Sequence, residues 1–116
     1  MKTENKILKL TFSFSLEIIE RYKQLIHQNE YVISKQLLRS ATSIGANVEE
    51  ANAAQTKKDF IAKMAIASKE ARETRYWLRL LQKSKLVNLD YEIYLESVEH
   101  IINILTKTVK TSQQAI

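Results

Sequence analysis

The sequence predicts an all-α protein, an antiparallel up-down bundle of four helices formed by a single domain over residues 1–116. Three observations support this fold class. The chain has no Pro and a single Gly, Gly45, whereas a sheet protein of this length needs several turn-forming residues. Apolar residues recur at alternating spacings of four and three in four separate segments. Short polar stretches join these segments, which favours antiparallel packing of neighbouring helices.

The first segment predicts a helix over residues 4–27, with one apolar seam and a second apolar set beside it. The seam consists of Leu8, Phe12, Ile19, Tyr22 and Ile26, and the flanking set of Ile7, Phe14, Ile18 and Leu25. The polar run 27–30 predicts a loop. The second segment predicts a helix over residues 32–53, whose seam is Leu37, Ala41, Ile44, Val48 and Ala51.

The third predicted helix begins after Thr56, which can cap it. Asp59 three residues later approximates a capping box and suits the helix dipole. This helix is expected to reach residue 83, with a seam of Phe60, Met64, Ala67, Ala71, Thr74, Leu78 and Leu81. Asn88 is expected to cap the fourth helix, whose seam is Tyr91, Leu95, Val98, Ile102, Leu105 and Val109. Residues 111–116 are polar, and we expect them to fray.

The second helix carries a polar stripe beside its apolar seam. Its members repeat at spacings of four and three, and they are Gln36, Ser40, Ser43, Asn47 and Glu50. One interpretation is a hydrogen-bonded interface, within the bundle or between subunits, because Asn47 and Glu50 need partners if they are buried. The other interpretation is that small polar residues allow close helix approach around Gly45. In either case these side chains are expected to be structural.

The third helix carries a cationic stripe, with Lys69 close to it. The stripe consists of Arg72, Arg75, Arg79 and Lys83. Arginine forks suit phosphate contacts, and the interleaved Tyr76 and Trp77 are typical of interfaces and stacking surfaces. Nucleic-acid contact and a protein interface are therefore both open, beside a salt-bridged solvated face that also uses Glu70 and Glu73. Trp77 is expected to be at least partly buried.

The sequence contains none of the residue patterns that would indicate an active site of a recognisable type. The chain has no Cys, and its two histidines, His27 and His100, lack the spacing to carboxylates that a di-iron bundle or an HExxH motif requires. Glu49, Glu50, Glu70 and Glu73 could meet in a bundle core, but without histidine support they are expected to form structural ion pairs with Arg39 or Arg72. We therefore predict no enzymatic activity, no catalytic residue, no metal and no cofactor.

Composition bears on partners and location. Lys and Arg total 18 against 13 Asp and Glu, a formal charge of +5, which favours polyanions as strongly as it favours a solvated surface. Residues 1–30 show no signal-peptide pattern, and no apolar run approaches the length of roughly 20 residues that spans a membrane. We expect a cytoplasmic bacterial protein that does not bind a membrane.

The segment RSATSIGANVEE, residues 39–50, followed by KDF at 58–60 and ASKEARET at 67–74, resembles the four-helix bundle proteins of the 23S ribosomal RNA intervening-sequence family. The match covers about residues 10–106. In that family, the positions of Arg39, Ser43, Asn47 and Glu50 form a polar signature. Ala51 and Ala54 depart from the Gly and Arg that many members carry. Members resemble the accessory protein of diversity-generating retroelements, a basic homopentamer that works with a reverse transcriptase and nucleic acid.

The resemblance implies an antiparallel four-helix bundle, a homo-oligomer of five subunits and no catalysis. The expected function is that of a non-enzymatic homo-oligomer that binds RNA or DNA through its basic surface. The alternative is a structural or protein-interaction oligomer, with another protein as partner and no role for nucleic acid. A steep salt dependence of nucleic-acid binding would separate the two.

Overall fold

The computed structural model describes the backbone of residues 2–114 and the side chains from Lys6 onward. Within that range the chain forms four α-helices and no strand. They are α1 (Lys2–His27), α2 (Ile33–Asn52), α3 (Lys57–Ser84) and α4 (Glu92–Gln114). The all-α prediction is confirmed, and the first three helices lie within about two residues of their predicted bounds, the usual scatter at helix ends.

The helices pack side by side in an elongated body that measures 47 × 21 × 21 Å. Each helix packs against its neighbour in the chain, most extensively α2 against α3, and α1 also packs lightly against α4. One continuous apolar core runs between them. This packing is that of a helical bundle in which every described helix contributes one face to the core.

The core face of α1 differs from the predicted seam. The flanking set is the buried one: Phe14 is 1% exposed, whereas Phe12 is 61% exposed. Thr11 occupies a buried position between Ile7 and Phe14 and donates its hydroxyl hydrogen to the Ile7 carbonyl at 2.8 Å. A polar residue thus interrupts the true core seam and satisfies its hydrogen bond inside the helix. The predicted seam is interrupted only at Ser15 and so has the more regular apolar pattern, although Phe12 is exposed and its other members are only half-buried.

Arg21 of α1 contacts the beginning of α4 and the connection before it. The Arg21 guanidinium carbon lies 5.0 Å from the Tyr94 ring centroid and 5.5 Å from that of Tyr91. One of its terminal nitrogens donates to the Asp90 carbonyl at 3.0 Å. Cation–π contacts of this kind are favourable when the guanidinium is partly desolvated. Arg21 therefore ties α1 to the connection that leads into α4.

The beginning of α2 is set by a buried carboxylate. Glu30 accepts hydrogen bonds from the backbone N–H groups of Ile33 at 2.8 Å and Ser34 at 2.7 Å, and the Ser34 hydroxyl donates back to the Glu30 carbonyl. Burial raises the pKa of the Glu30 carboxyl, but these hydrogen bonds together with one from Val32 outweigh burial and hold the pKa below its ordinary value. Glu30 was predicted only as part of a polar loop.

The predicted cap of α3 is confirmed, and that of α4 is wrong. Thr56 Oγ1 accepts from the Asp59 N–H at 3.0 Å. By contrast, α4 begins at Glu92, four residues after Asn88, and Asp90 Oδ1 accepts from the Glu92 N–H at 3.1 Å. Residues 88–91 are not helical, the Tyr91 side chain is buried, and the Tyr91 N–H donates to the side-chain oxygen of Gln82 in α3 at 3.0 Å, so this segment packs against the end of α3 before α4 begins. Fraying was expected for residues 111–116. Residues 111–114 are helical, and residues 115–116 lie outside the described range.

Candidate functional site

The basic side chains of α3 lie along its side nearest α4. Arg72, Arg79 and Lys83 are exposed and Arg75 is half-buried. Arg75 donates to Glu99 of α4 at 2.8 Å. Arg72 makes only a long hydrogen bond, 3.4 Å from its guanidinium to the hydroxyl oxygen of Thr106 in α4. The ion pairs among the described residues therefore neutralise one member of the predicted stripe.

The acidic side chains of α3 lie on its opposite side, against α2. Arg39 of α2 pairs with Glu70 at 3.1 Å and also with Glu73. Trp77 donates its indole N–H to Glu73 at 3.0 Å. The bond from Trp77 and the pairing with Arg39 together outweigh burial and lower the pKa of Glu73. The expected ion pairing is confirmed for Glu70 and Glu73, with Arg39 as the partner, and the cluster joins α2 to α3. It is wrong for Glu49 and Glu50, which are exposed and form no ion pair among the described residues.

The aromatic pair of α3 lies beside this cluster. Trp77 is half-buried against the core, as expected, while Tyr76 is 53% exposed. Their ring centroids lie 5.1 Å apart with an interplanar angle of 70°, an edge-to-face arrangement that aromatic rings favour. Trp77 is thus fixed by packing and by its bond to Glu73, whereas Tyr76 presents its ring to the surface.

The polar stripe of α2 divides into two parts. Ser40 is buried, and its hydroxyl oxygen lies 2.8 Å from that of Thr74 in α3. Further along, Asn47 donates its amide to the Ser43 carbonyl at 2.8 Å within the same helix, and both are half-buried. Glu50 is exposed. Ser40 therefore contributes to packing inside the bundle, and the rest of the stripe lies at the surface.

Close helix approach at Gly45 concerns a different side of α2. A Cβ atom built on Gly45 would lie 3.5 Å from the Thr11 carbonyl oxygen and 3.5 Å from Ser15 Oγ, both in α1. These are ordinary contact distances, and they show that Gly45 faces α1 whereas Ser40 faces α3. The small residues of the stripe and Gly45 therefore do not serve one common approach between helices.

A groove of about 390 Å³ lies between α3 and α4. Its polar lining residues are Ser68, Lys69, Arg72, Thr106, Lys110 and Gln113. The sequence pattern indicated Arg72 and, less firmly, Lys69. It did not indicate Thr106 or Lys110, because only the register between two helices separated by a connection brings α4 residues next to Arg72.

Two further observations concern the described residues alone. Within residues 2–114, no group of three or more His, Cys, Asp or Glu side chains is arranged to hold a metal ion. In the same range, none of the helices combines the length and the apolar character that crossing a membrane requires.

The described residues form a helical bundle, and one of its helices, α3, has a cationic side and an ion-paired side. This architecture does not by itself identify a ligand. The sequence model of the family of 23S rRNA-intervening sequence proteins matches residues 3–107, and the chain belongs to that family. It is also similar to the crystal structure of a protein of unknown function from the S23 ribosomal protein family of Bacteroides thetaiotaomicron. The two are 42% identical over 93% of this chain and 98% of that one, with a TM-score of 0.88. No curated protein matches the chain.

Proposed function

We propose that this protein is a non-enzymatic homo-oligomer of antiparallel four-helix bundles that binds nucleic acid in the bacterial cytoplasm through the cationic side of α3. The observation that carries the proposal is the separation of charge on that helix. Arg39 holds Glu70 and Glu73 on the side facing α2, while Arg79 and Lys83 project from the other side and make no ion pair among the described residues. Phosphate backbones are bound mainly through such cations.

The antiparallel arrangement is supported by the register of α3 against α4. Arg75 contacts Glu99, and Arg72, one turn earlier in α3, contacts Thr106, two turns later in α4. Contacts that advance along one helix while they retreat along the other are typical of antiparallel neighbours. The helices of 20–28 residues are about 30–42 Å long. The connections between them are too short to run back along such a length, which also favours antiparallel neighbours.

Self-association is supported by the surface part of the polar stripe. Ser43 and Asn47 are half-buried, Glu50 is exposed, and Tyr76 exposes more than half of its surface on the neighbouring helix. Exposed aromatic residues such as Tyr76 are enriched at protein interfaces. Five subunits is the number that the family resemblance implies. A ring of subunits would repeat the cationic side of α3, and multivalency would strengthen weak single contacts.

The alternative function, a structural or protein-interaction oligomer, is favoured by a different observation. Phe12 and Leu16 lie one turn apart on α1, and they are 61% and 51% exposed. Neighbouring apolar side chains on a surface often mark a protein interface. This face lies on α1, away from the cationic side of α3, so the two functions predict different sensitive residues.

The deciding experiment measures binding of RNA and DNA across salt concentrations, with the oligomer mass followed by light scattering. Replacing Arg79 and Lys83 by Gln should lower affinity and reduce the salt slope by about one unit for each lost phosphate contact. The matched control replaces Lys9 and Lys35, two exposed cations of α1 and α2, and should leave the slope unchanged. Lack of binding by the parent at low salt would support the alternative, and a monomer mass would contradict self-association.

A further inference from the structure

We propose that the groove between α3 and α4 is a binding site for a phosphate group. The site is formed by Lys69 and Arg72 of α3 and Lys110 of α4, which line one concave surface of about 390 Å³. That volume lies near the lower end of the range of roughly 300–1,000 Å³ that small-ligand pockets occupy. A phosphate group with the sugar attached to it is of suitable size.

The charge around the groove favours an anion. Three cations line it and no carboxylate does. The acidic residues nearest in sequence, Glu70 and Glu73, are held on the far side of α3 by Arg39, and Glu73 also accepts the hydrogen bond from Trp77. Glu73 also interacts electrostatically with Lys69, which helps to lower the pKa of Glu73. The cations of the groove that form no ion pair among the described residues and have no such carboxylate neighbour are therefore Arg72 and Lys110.

The next turn of α3 shows the contrasting arrangement. There Arg75 faces Glu99 of α4 at 2.8 Å, and the pair neutralises itself. Arg72 faces Thr106 instead, a neutral hydroxyl, and Lys110 follows one turn later on α4. The change of partner from a carboxylate to a hydroxyl and a lysine leaves unneutralised positive charge from both helices at this end of the interface between α3 and α4.

The hydrogen-bonding groups also suit phosphate. The long bond of 3.4 Å to Thr106 uses one terminal nitrogen of Arg72, which leaves the remaining N–H donors of its guanidinium for a ligand. The planar fork of Arg and the mobile ammonium groups of Lys69 and Lys110 are the side chains that proteins commonly use for phosphate. The hydroxyl of Ser68 and the amide of Gln113 add neutral donors to the same lining.

The groove shares Arg72 with the cationic side of α3, and its phosphodiester case rests on the proposed function, for which Arg79 and Lys83 carry the argument. The phosphate group bound in the groove could belong to either of two kinds of molecule. One is a monoester, as in inorganic phosphate or a 5′-phosphorylated strand end, and the other is the phosphodiester backbone of a strand. The groove can hold either source, and the experiment separates them.

The test is a titration of the isotope-labelled full-length protein followed through backbone amide NMR signals. The probes are inorganic phosphate, a ten-nucleotide RNA with a 5′-phosphate, and the same RNA with a 5′-hydroxyl. We expect saturable shifts in both segments that form the groove, residues 68–72 and 106–113. The variant Arg72→Gln with Lys110→Gln should weaken binding at these signals at least about tenfold, since it removes two charge-assisted contacts.

The matched control, Lys9→Gln with Lys35→Gln, removes the same charge from exposed positions of α1 and α2 that do not line the groove, and it should change affinity less than about twofold, because solvent and salt screen exposed charges that make no contact with the ligand. Both groove side chains are exposed, so the groove variant should melt at the temperature of the parent. A preference for the 5′-phosphorylated strand identifies the monoester, and equal binding of both strands at the groove signals identifies the phosphodiester.

The proposal is overturned if no probe gives saturable shifts in both segments, or if the groove variant binds as tightly as the parent. Its failure is distinguishable from failure of the proposed function. RNA binding that leaves the groove signals unchanged would refute the groove and retain nucleic-acid binding elsewhere. Groove shifts with inorganic phosphate, in a protein that binds neither strand, would support the groove and refute nucleic-acid binding.

Discussion

Helices α1 and α3 each carry more than one stripe of patterned side chains, and they differ in how clearly the pattern identifies the buried face. In α3 the apolar seam is flanked by charged residues. Six of its seven predicted members, Met64, Ala67, Ala71, Thr74, Leu78 and Leu81, are buried, and the seventh, Phe60, is half-buried. In α1 two apolar stripes lie side by side, and the less regular one is buried. Spacing identifies the core face only where the other faces are polar.

The largest expected effect tests this comparison on α1. Phe14→Ala should destabilise the protein by about 3–5 kcal/mol, because it removes a fully buried ring and leaves a cavity. The matched variant Phe12→Ala, two residues away on the same helix, should cost less than about 1 kcal/mol, because surface substitutions rarely exceed that. Urea unfolding followed by circular dichroism measures both.

The order of the two effects is the informative result. If Phe12→Ala were the more destabilising variant, the regular apolar seam of α1 would be the buried one after all, in the bundle or in an assembly. The oligomer mass of each variant separates these cases. A lowered mass for Phe12→Ala alone would place that face in a subunit interface and would support the protein-interaction alternative.

Much of the fold could be predicted, because helix-forming composition, regular spacing and the Thr56 cap are local properties of the sequence. The core of α1 could not, because Thr11 satisfies its hydroxyl by a bond to Ile7 within the helix, and no pattern of apolar residues reveals that. The start of α4 was missed for a related reason. Burial of Tyr91 and its hydrogen bond to Gln82 of α3 are tertiary contacts that the capping preference of Asn88 does not contain.

The candidate site was predictable in composition and not in arrangement. The spacing placed the cations of α3 on one side, but their partners belong to other helices. Arg39 and Glu70 are 31 residues apart, and Arg75 and Glu99 are 24 apart. Which cation is neutralised depends on the register between helices, and a single sequence does not contain that information.

The two sides of α3 should therefore differ in their contribution to stability. Arg39→Gln should destabilise the protein by about 1.5–3 kcal/mol, because it leaves the carboxylate of Glu70, which is 9% exposed, without its charged partner. Arg75→Gln breaks an ion pair whose carboxylate, Glu99, is half exposed and remains solvated without its partner, and it should cost less than about 1 kcal/mol. The free energy of unfolding of each variant, measured at low and at moderate salt, is the readout. Equal losses would mean that the Arg39 cluster is no more than a surface ion pair.

The smallest expected effect is a pH dependence on the same side of α3. The pKa of Glu73 lies below its ordinary value of 4.5, because the bond from Trp77 and the pairing with Arg39 outweigh burial. A carboxylate whose pKa is lower in the folded state stabilises the protein above its unfolded pKa, and that contribution is lost as the pH falls through the folded pKa. The free energy of unfolding should therefore decrease below about pH 4.5, with a smaller decrease in Glu73→Gln than in the parent. Glu50→Gln removes an exposed carboxylate of α2 and serves as the control for loss of charge. The effect should be modest, because Glu73 is partly exposed and solvent screens its charge.

Unfolding curves at several pH values, with Trp77 fluorescence as the signal, measure this pH dependence. Identical pH dependence in the parent and in Glu73→Gln would show that this carboxylate does not stabilise the α2–α3 contact.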